Sequence, residues 1–416
     1  MTAVLHTPPL GAPSRSGPDA FRFPAPVVLG NEEETGMLLR SDDTYEEPCV
    51  LLDHLGRVLS SLYALKPSEL HPECMALSST SFFLQNGSRV YADGFIESGE
   101  RFRGGPGWTN IERSTPECVS PSELLRYVRA GERILVAVAQ RFLETQDPGD
   151  RQFDEVRIHR RVVDAELRAK GCHDNFATAS ELLEDAGTLI QVFAPLMAMH
   201  LATRSFITGA GLVRPDNGFA YAQKIEAIPL RGCLDVEGRF VSSMCIWHDT
   251  GTERFPKETG AAPVPPADRR VEVRCSDVNI SDWATTVRIG MAALVLAVCQ
   301  HRRSAARLLA ACPSRNLGVI LPFAKAANQV DLASDGSIVR QELITEAVDF
   351  QRELAVTVLE ELHDELADEY LAIARAQLAY IDDFEAVLDG PGSVADLADR
   401  ADWACKLDRI QRSPHV

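Results

Sequence analysis

Residues 29–39 read LGNEEETGMLL, three consecutive glutamates, Glu32, Glu33 and Glu34, inside an otherwise apolar stretch that follows FPAPVV. No other feature constrains the fold as much. Residues 26–39 have the apolar character of a buried strand, and on a strand successive side chains alternate between faces. Glu32 and Glu34 then share one face and Glu33 takes the other. Two carboxylates side by side repel unless a cation lies between them. Hard oxygen ligands suit Mg²⁺, which takes a few carboxylates together with phosphate oxygens. A solvated edge strand is the plainer explanation of three acidic residues on their own, and the rest of the chain must decide.

With 416 residues the chain can bury one large or two medium cores. A net charge of −18 does not suit a nucleic-acid or anionic-membrane partner, so a nucleotide substrate would need Mg²⁺ and a local cluster of Arg and Lys. No run of roughly 18 apolar residues suggests a membrane span. Residues 1–25 are rich in Pro and Gly, lack the pattern of a signal peptide, and read as a flexible tail. The ten cysteines have no metal-ligand spacing, which predicts reduced thiols and a cytoplasmic protein.

Along the chain, VLLDHLGRVLSSLYAL (50–65) has a short helical pattern. TSFFLQNGSRVYAD (80–93) reads as two strands around an Asn-Gly turn, and 94–108 is Gly-rich loop. Residues 120–146 form an amphipathic helix that Ser120 or Ser122 caps, with Leu124, Leu125, Val128, Ile134, Leu135 and Val138 on one face. A helix over about 179–203, strands over 204–247, a loop at 260–270, a buried helix over 282–303, a long helical stretch over 340–388 and a last helix over 396–412 complete the chain. Strands scattered among helices without βαβ regularity predict an α+β fold.

Further polar clusters accompany the glutamates. Tyr91 and Asp93 are two apart on a predicted strand; Glu112 and Glu117 lie in IERSTPEC; His173, Asp174 and Asn175 form one group; Arg269, Arg270, Glu272, Arg274, Asp277 and Asn279 form another. Taken in order, these segments resemble the Pup ligase and Pup deamidase (depupylase) family, relatives of glutamine synthetase. Gly30–Gly36 is similar to its Gly-x-Glu-x-Glu-x-Gly strand, NGSRVYAD (86–93) to NGARLYxD, NIERSTPEC (110–118) to HPEYSTPEC, and GCHDNF (171–176) to GxHENY. ITGAGLV (207–213), GFAYAQK (218–224), the segment from Arg269 to Leu296, and DWACK (402–406) follow further family motifs, so the resemblance covers the chain from residue 28 to about 410.

The resemblance implies a glutamine-synthetase-like curved antiparallel sheet, helices on its outer face, over a catalytic domain 26–416 without the family's small C-terminal domain. It implies an ATP- and Mg²⁺-dependent carboxylate–amine ligase that forms an amide bond through an acyl phosphate. Glu32, Tyr91 and Glu112 are then metal ligands, with Glu34 and Glu117 as further candidates, and Asp93 is the catalytic base. Arg270 leads the ATP or phosphate contacts, with His173, Asn175, Lys224, Arg288 and Trp403. The partners are a carboxylate donor and an amine acceptor. A deamidase-like hydrolase and a nucleotide-binding pseudoenzyme are the alternatives; the short gap between Glu34 and Asn86 favours the ligase. Asn110, Arg113, Arg161, Val162, Lys224 and Glu272 depart from the family pattern. Asn110, Arg113, Arg161, Val162 and Glu272 are expected where the donor or phosphate is met, which suggests a donor other than Pup held in the family's way.

Overall fold

The computed structural model describes residues 28–41, 44–46, 81–83, 87–93, 110–146, 149, 152–160, 162–163, 170–178, 182, 186–214, 216–228, 240–242, 246–248 and 269–412. The tail, the helix expected at 50–65, the Gly-rich loop and most of the loop at 260–270 lie outside them.

The glutamate segment is strand β1, Leu29–Ser41. It is followed by β2 (Thr44–Glu46), β3 (Ser81–Phe83), β4 (Arg89–Asp93) and β5 (Asn110–Ser114). β3 and β4 pair as the expected hairpin, Phe82 opposite Val90, and Gly87 before β4 takes a φ of +85° that a side chain would disfavour. Helix α1, Pro121–Glu144, starts where Ser120 accepts the N–H of Glu123, with Pro121 in the first turn, where a missing N–H costs nothing. Strands β6 (Glu155–His159) and β7 (Cys172–Thr178) follow. The helix α2 (186–203) contains a π turn over Leu189–Phe193.

The region expected to be strands over 204–247 is mixed. Ser205–Thr208 (α3) and Gln223–Ala227 (α4) are helical. β8 (Leu212–Val213) and β9 (Phe219–Ala220) belong to a separate small sheet, and β10 (Phe240–Ser242) and β11 (Ile246–His248) join the edge of the main one. After β12 (Arg269–Val273) come α5 (Asp282–Gln300), α6 (Arg302–Ala311), α7 (Leu317–Ala327) and β13 (Gln329–Val330). The long helical stretch is two helices, α8 (Glu342–Glu361) and α9 (Asp368–Leu388), packed on each other, and α10 is Asp402–Arg412.

The main sheet runs β10-β11-β12-β7-β1-β5-β4-β3, with β2 and β6 also on β1, and every described pairing is antiparallel. Its order makes β1 the central strand. Odd-numbered residues of β1 and their partners, among them Leu29, Phe176, Val271 and Val273, enter the core shared with the helices. Val90 and Ile111 do the same under Ile134, Leu135 and Val138 of α1. α5 is apolar enough to be compared with a membrane helix, but 83% of its apolar window is buried in this core. The expected α+β architecture is therefore present, an antiparallel sheet with one face covered by helices.

Candidate active site

The face of the sheet turned away from the described helices carries the even-numbered residues of β1. In register, Glu34 lies opposite Glu112, and Glu112 opposite Tyr91. One residue pair back, Glu32 lies between Ser114 and His173. One further, Gly30 lies opposite Asn175, and Asn175 opposite Glu272. Strand alternation thus places residues from five segments of the chain on one polar face.

Ligand atoms of Glu32, Glu112 and His173 all lie within 4.8 Å of one another. His173 Nδ1 is 3.3 Å from Glu32 Oε2 and 3.1 Å from Glu272 Oε1. Glu272, 1% exposed, also accepts from Arg270 Nη2 at 2.5 Å and Arg274 Nε at 2.6 Å, and Arg270 Nη1 is 3.8 Å from Glu32 Oε1. Burial opposes charge on all three groups, but the partners win. Bonds to Glu272 and Glu32 hold the His173 ring up at about 9. The His173 bond and Arg270 hold the Glu32 carboxyl below its ordinary range, and His173, Arg270 and Arg274 hold Glu272 well below it. Two carboxylates and, once its ring proton is displaced, the His173 imidazole form an oxygen-rich donor set that fits a divalent cation.

Two glycines keep this face open. A Cβ on Gly171 would stand 2.4 Å from Glu34 Oε1 and 2.6 Å from His173 Nε2, and one on Gly36 would stand 2.1 Å from Lys170 Nζ. Gly171→Ala is expected to push both side chains aside and, if this cluster holds Mg²⁺, to weaken its binding about tenfold, about 1.4 kcal/mol. Calorimetric titration checks it: an unchanged affinity would remove Glu34 and His173 from the cation site.

The predicted site residues divide. Glu32, Glu34, Glu112, His173, Asn175 and Arg270 share the polar face; Asn175 Oδ1 is buried and accepts no hydrogen bond among the described residues. The backbones of Tyr91 and Asp93 stand opposite Glu112 and Asn110, while their side chains lie outside the described set. Glu117 is exposed beyond the end of β5, outside the cluster. Three others are not brought to this face. Arg288, on α5, is 1% exposed behind the sheet, where it pairs with Asp174 at 3.2 Å and donates to Asn279 Oδ1. Lys224 donates from Nζ to the carbonyl of Lys170. Trp403 is fully buried against Tyr221 and Phe384, its indole N–H donating to the Phe206 carbonyl at 2.6 Å.

Two expectations on the donor side are corrected. Arg113 sits on the covered face, where its Nη2 meets Glu33 Oε2 at 2.5 Å, because it is one residue out of phase with Glu112. Val162 is buried among Cys172, Leu212 and Val278. The sequence offers Glu272 as one member of the polar run after Arg269 and as a departure from the family pattern, not as a residue of the acidic cluster. The alternation Arg270-x-Glu272-x-Arg274 on a strand was the signal that it faces the same way as its two arginines.

The chain matches a family model described as Pup-ligase protein over residues 42–415. It is 28% identical over 228 residues to a Pup--protein ligase of Acidimicrobium ferrooxidans, covering 54% of this chain and 43% of that protein. It is 26% identical over 436 residues to that of Bifidobacterium dentium, covering 99% of this chain and 75% of that one. Among solved structures, the ligase PafA in complex with Pup superposes with a TM-score of 0.62 at 20% identity, covering 94% of this chain and 70% of that chain. PafA in complex with ADP superposes with 0.57 at 20% identity, covering 83% and 69%. At that identity the structures show a shared fold.

Proposed function

Because the chain belongs to the Pup ligase family, we propose that it is an ATP- and Mg²⁺-dependent carboxylate–amine ligase of the cytoplasm. The observation that carries this reading is the convergence of Glu32, Glu112 and His173 on one point of the polar face, beside Arg270. The donor chemistry of those three groups, and the room that Gly171 leaves for them, fit a divalent cation, which supplies positive charge opposite a transferring phosphoryl group when bound. Glu34 stands at the rim of the same cluster, and Tyr91 is a further ligand by its place opposite Glu112. That PafA has been solved with ADP supports a nucleotide as a ligand of this fold.

In this reading an oxygen of the donor carboxylate attacks the γ-phosphorus of ATP, and ADP leaves. Arg270, held beside Glu32 and Glu272, offsets the negative charge of the transferring group. The amine nitrogen then attacks the acyl carbon, inorganic phosphate leaves, and Asp93 accepts the amine proton. Free amines are mostly protonated near neutral pH, so a carboxylate acceptor close by is what makes the nitrogen nucleophilic. Glu272, where the family has His, supports a donor recognised differently from Pup.

ADP release, followed with candidate acids and amines alone and together, tests the reading. The ligase requires both. Amide cleavage without ATP turnover would establish the hydrolase instead, and nucleotide binding without any turnover would establish a pseudoenzyme.

A further inference from the structure

Asn31 and Asp174 stand back to back with the Glu32–Glu112–His173 cluster. Asp174 lies between His173 and Asn175 on β7, and Asn31 lies between Gly30 and Glu32 on β1. Strand alternation turns both side chains to the covered side. The register pairs them with each other, one step from the pair of Glu32 with His173. Both are buried. Leu29, the preceding residue of the same parity, packs in the main core, so an amide at position 31 stands beside apolar packing.

That amide is fully used as a donor. Asn31 Nδ2 reaches Asp174 Oδ1 at 3.1 Å and the His173 carbonyl at 3.1 Å, so each of its two protons has an acceptor on β7. Asn31 is itself held from the opposite side: its N–H donates to Thr115 Oγ1 at 3.0 Å, and its carbonyl accepts the Thr115 N–H at 2.9 Å. Asp174 is held from beneath. Its Oδ2 accepts the Ser276 hydroxyl at 2.6 Å, Ser276 Oγ accepts from Arg204 Nη2 at 2.7 Å, and Arg288 Nη2 lies 3.2 Å from Oδ1. Moving this carboxylate would strand buried donors and a buried charge, which is costly in the interior. Asn31 ties that fixed point to the backbone of His173.

We propose that Asn31 is a positioning residue of the cation cluster: from the covered side of the sheet, and braced by Asp174, it fixes where the His173 ring meets Glu32 and Glu112. The proposal rests on the reading of those three groups as cation ligands. His173 Nδ1 is shared between Glu32 Oε2 at 3.3 Å and Glu272 Oε1 at 3.1 Å, so a small shift of its backbone changes which carboxylate the ring faces. Mg²⁺ tolerates little departure from its short, near-octahedral geometry. Outer partners that orient metal-binding side chains therefore act on affinity without touching the ion.

Asn31→Leu keeps a side chain of similar size and removes both donors. Calorimetry of Mg²⁺ with a non-hydrolysable ATP analogue should show an affinity about tenfold weaker, the low end of what such outer partners contribute. In a His173→Ala background the same change should weaken Mg²⁺ no further, because no ring is left to place. A role in general stability would weaken both backgrounds equally. Equal losses, or wild-type affinity in Asn31→Leu, overturn the proposal. If circular dichroism shows Asn31→Leu unfolded, Asn31→Ser carries the same cycle, since its hydroxyl has one proton for two acceptors. Where Mg²⁺ binding is absent, from wild type, which sinks the cation reading, or from His173→Ala, NMR decides about Asn31. The His173 ring signals, identified by their loss in His173→Ala, should move in the residue 31 variant. Moved signals uphold the positioning role, and unmoved signals overturn it.

Discussion

Asp93→Asn is expected to slow turnover roughly 10²–10⁴-fold, the range over which a positioned general base contributes. The substitution keeps the size of the side chain and its capacity to hydrogen-bond, but an amide cannot accept a proton from the attacking amine. Only the step that needs a proton acceptor should suffer. Mg-ATP affinity, which the proposal assigns to Glu32, Glu112, His173 and Arg270, should stay close to wild type, so the loss falls on kcat. The backbone supports the assignment. The β3–β4 hairpin and the β4–β5 register fix Tyr91 opposite Glu112, and Asp93 is the next residue of the same parity, opposite Asn110. Steady-state ADP release with nucleotide binding measured in parallel checks it. Wild-type rates in Asp93→Asn would remove this carboxylate from the reaction.

Much of this site could be read before the fold was known, for a physical reason. Strand alternation is a local rule, so Glu32 and Glu34 could be assigned to one face and Glu33 to the other from sequence alone. The hairpin rested on an equally local signal, the Asn-Gly pair before β4. What could not be read depends on contacts far apart in the chain. Arg113 is expected on the donor side because it stands where the family motif has Tyr, yet it neighbours Glu112 on a strand and so faces the opposite way, and its partner Glu33 is 80 residues distant. Arg288 and Trp403 carry functional groups that attract attention in a sequence. The structure uses the first to pair with Asp174 and the second to cap the Phe206 carbonyl inside the helical layer. The break between α8 and α9 was hidden for another reason. Leu362 and Leu366 keep a helical spacing and are buried, while His363, Asp364 and Glu365 turn outward with no Gly or Pro to mark the turn.

Glu33 itself carries the largest stability prediction. Its carboxylate is 3% exposed and its partner guanidinium 7%, so neither charge has water to fall back on. α1 makes room for the pair by having glycine at 131, where a Cβ would stand 3.1 Å from Arg113 Nη1. Glu33→Gln leaves a buried arginine charge without its counter-ion, which costs about 3–5 kcal/mol in such settings. The midpoint of urea unfolding should fall accordingly with an unchanged slope. Arg113→Met should cost a similar amount by stranding the carboxylate. The double change Glu33→Leu with Arg113→Met removes both charges and fills the space with apolar atoms, so it should recover most of the loss. That non-additivity is the signature of direct coupling, and additive single effects would show that the two charges are solvated after all. The pair bridges β1 and β5, the strands that carry Glu32, Glu34 and Glu112, and it does so from the covered side. Three adjacent carboxylates are thus compatible with one strand because they serve two faces. The outer two stand on the polar face beside Glu112 and His173, where a cation is proposed, and the middle one is neutralised by an arginine that locks that strand to its neighbour.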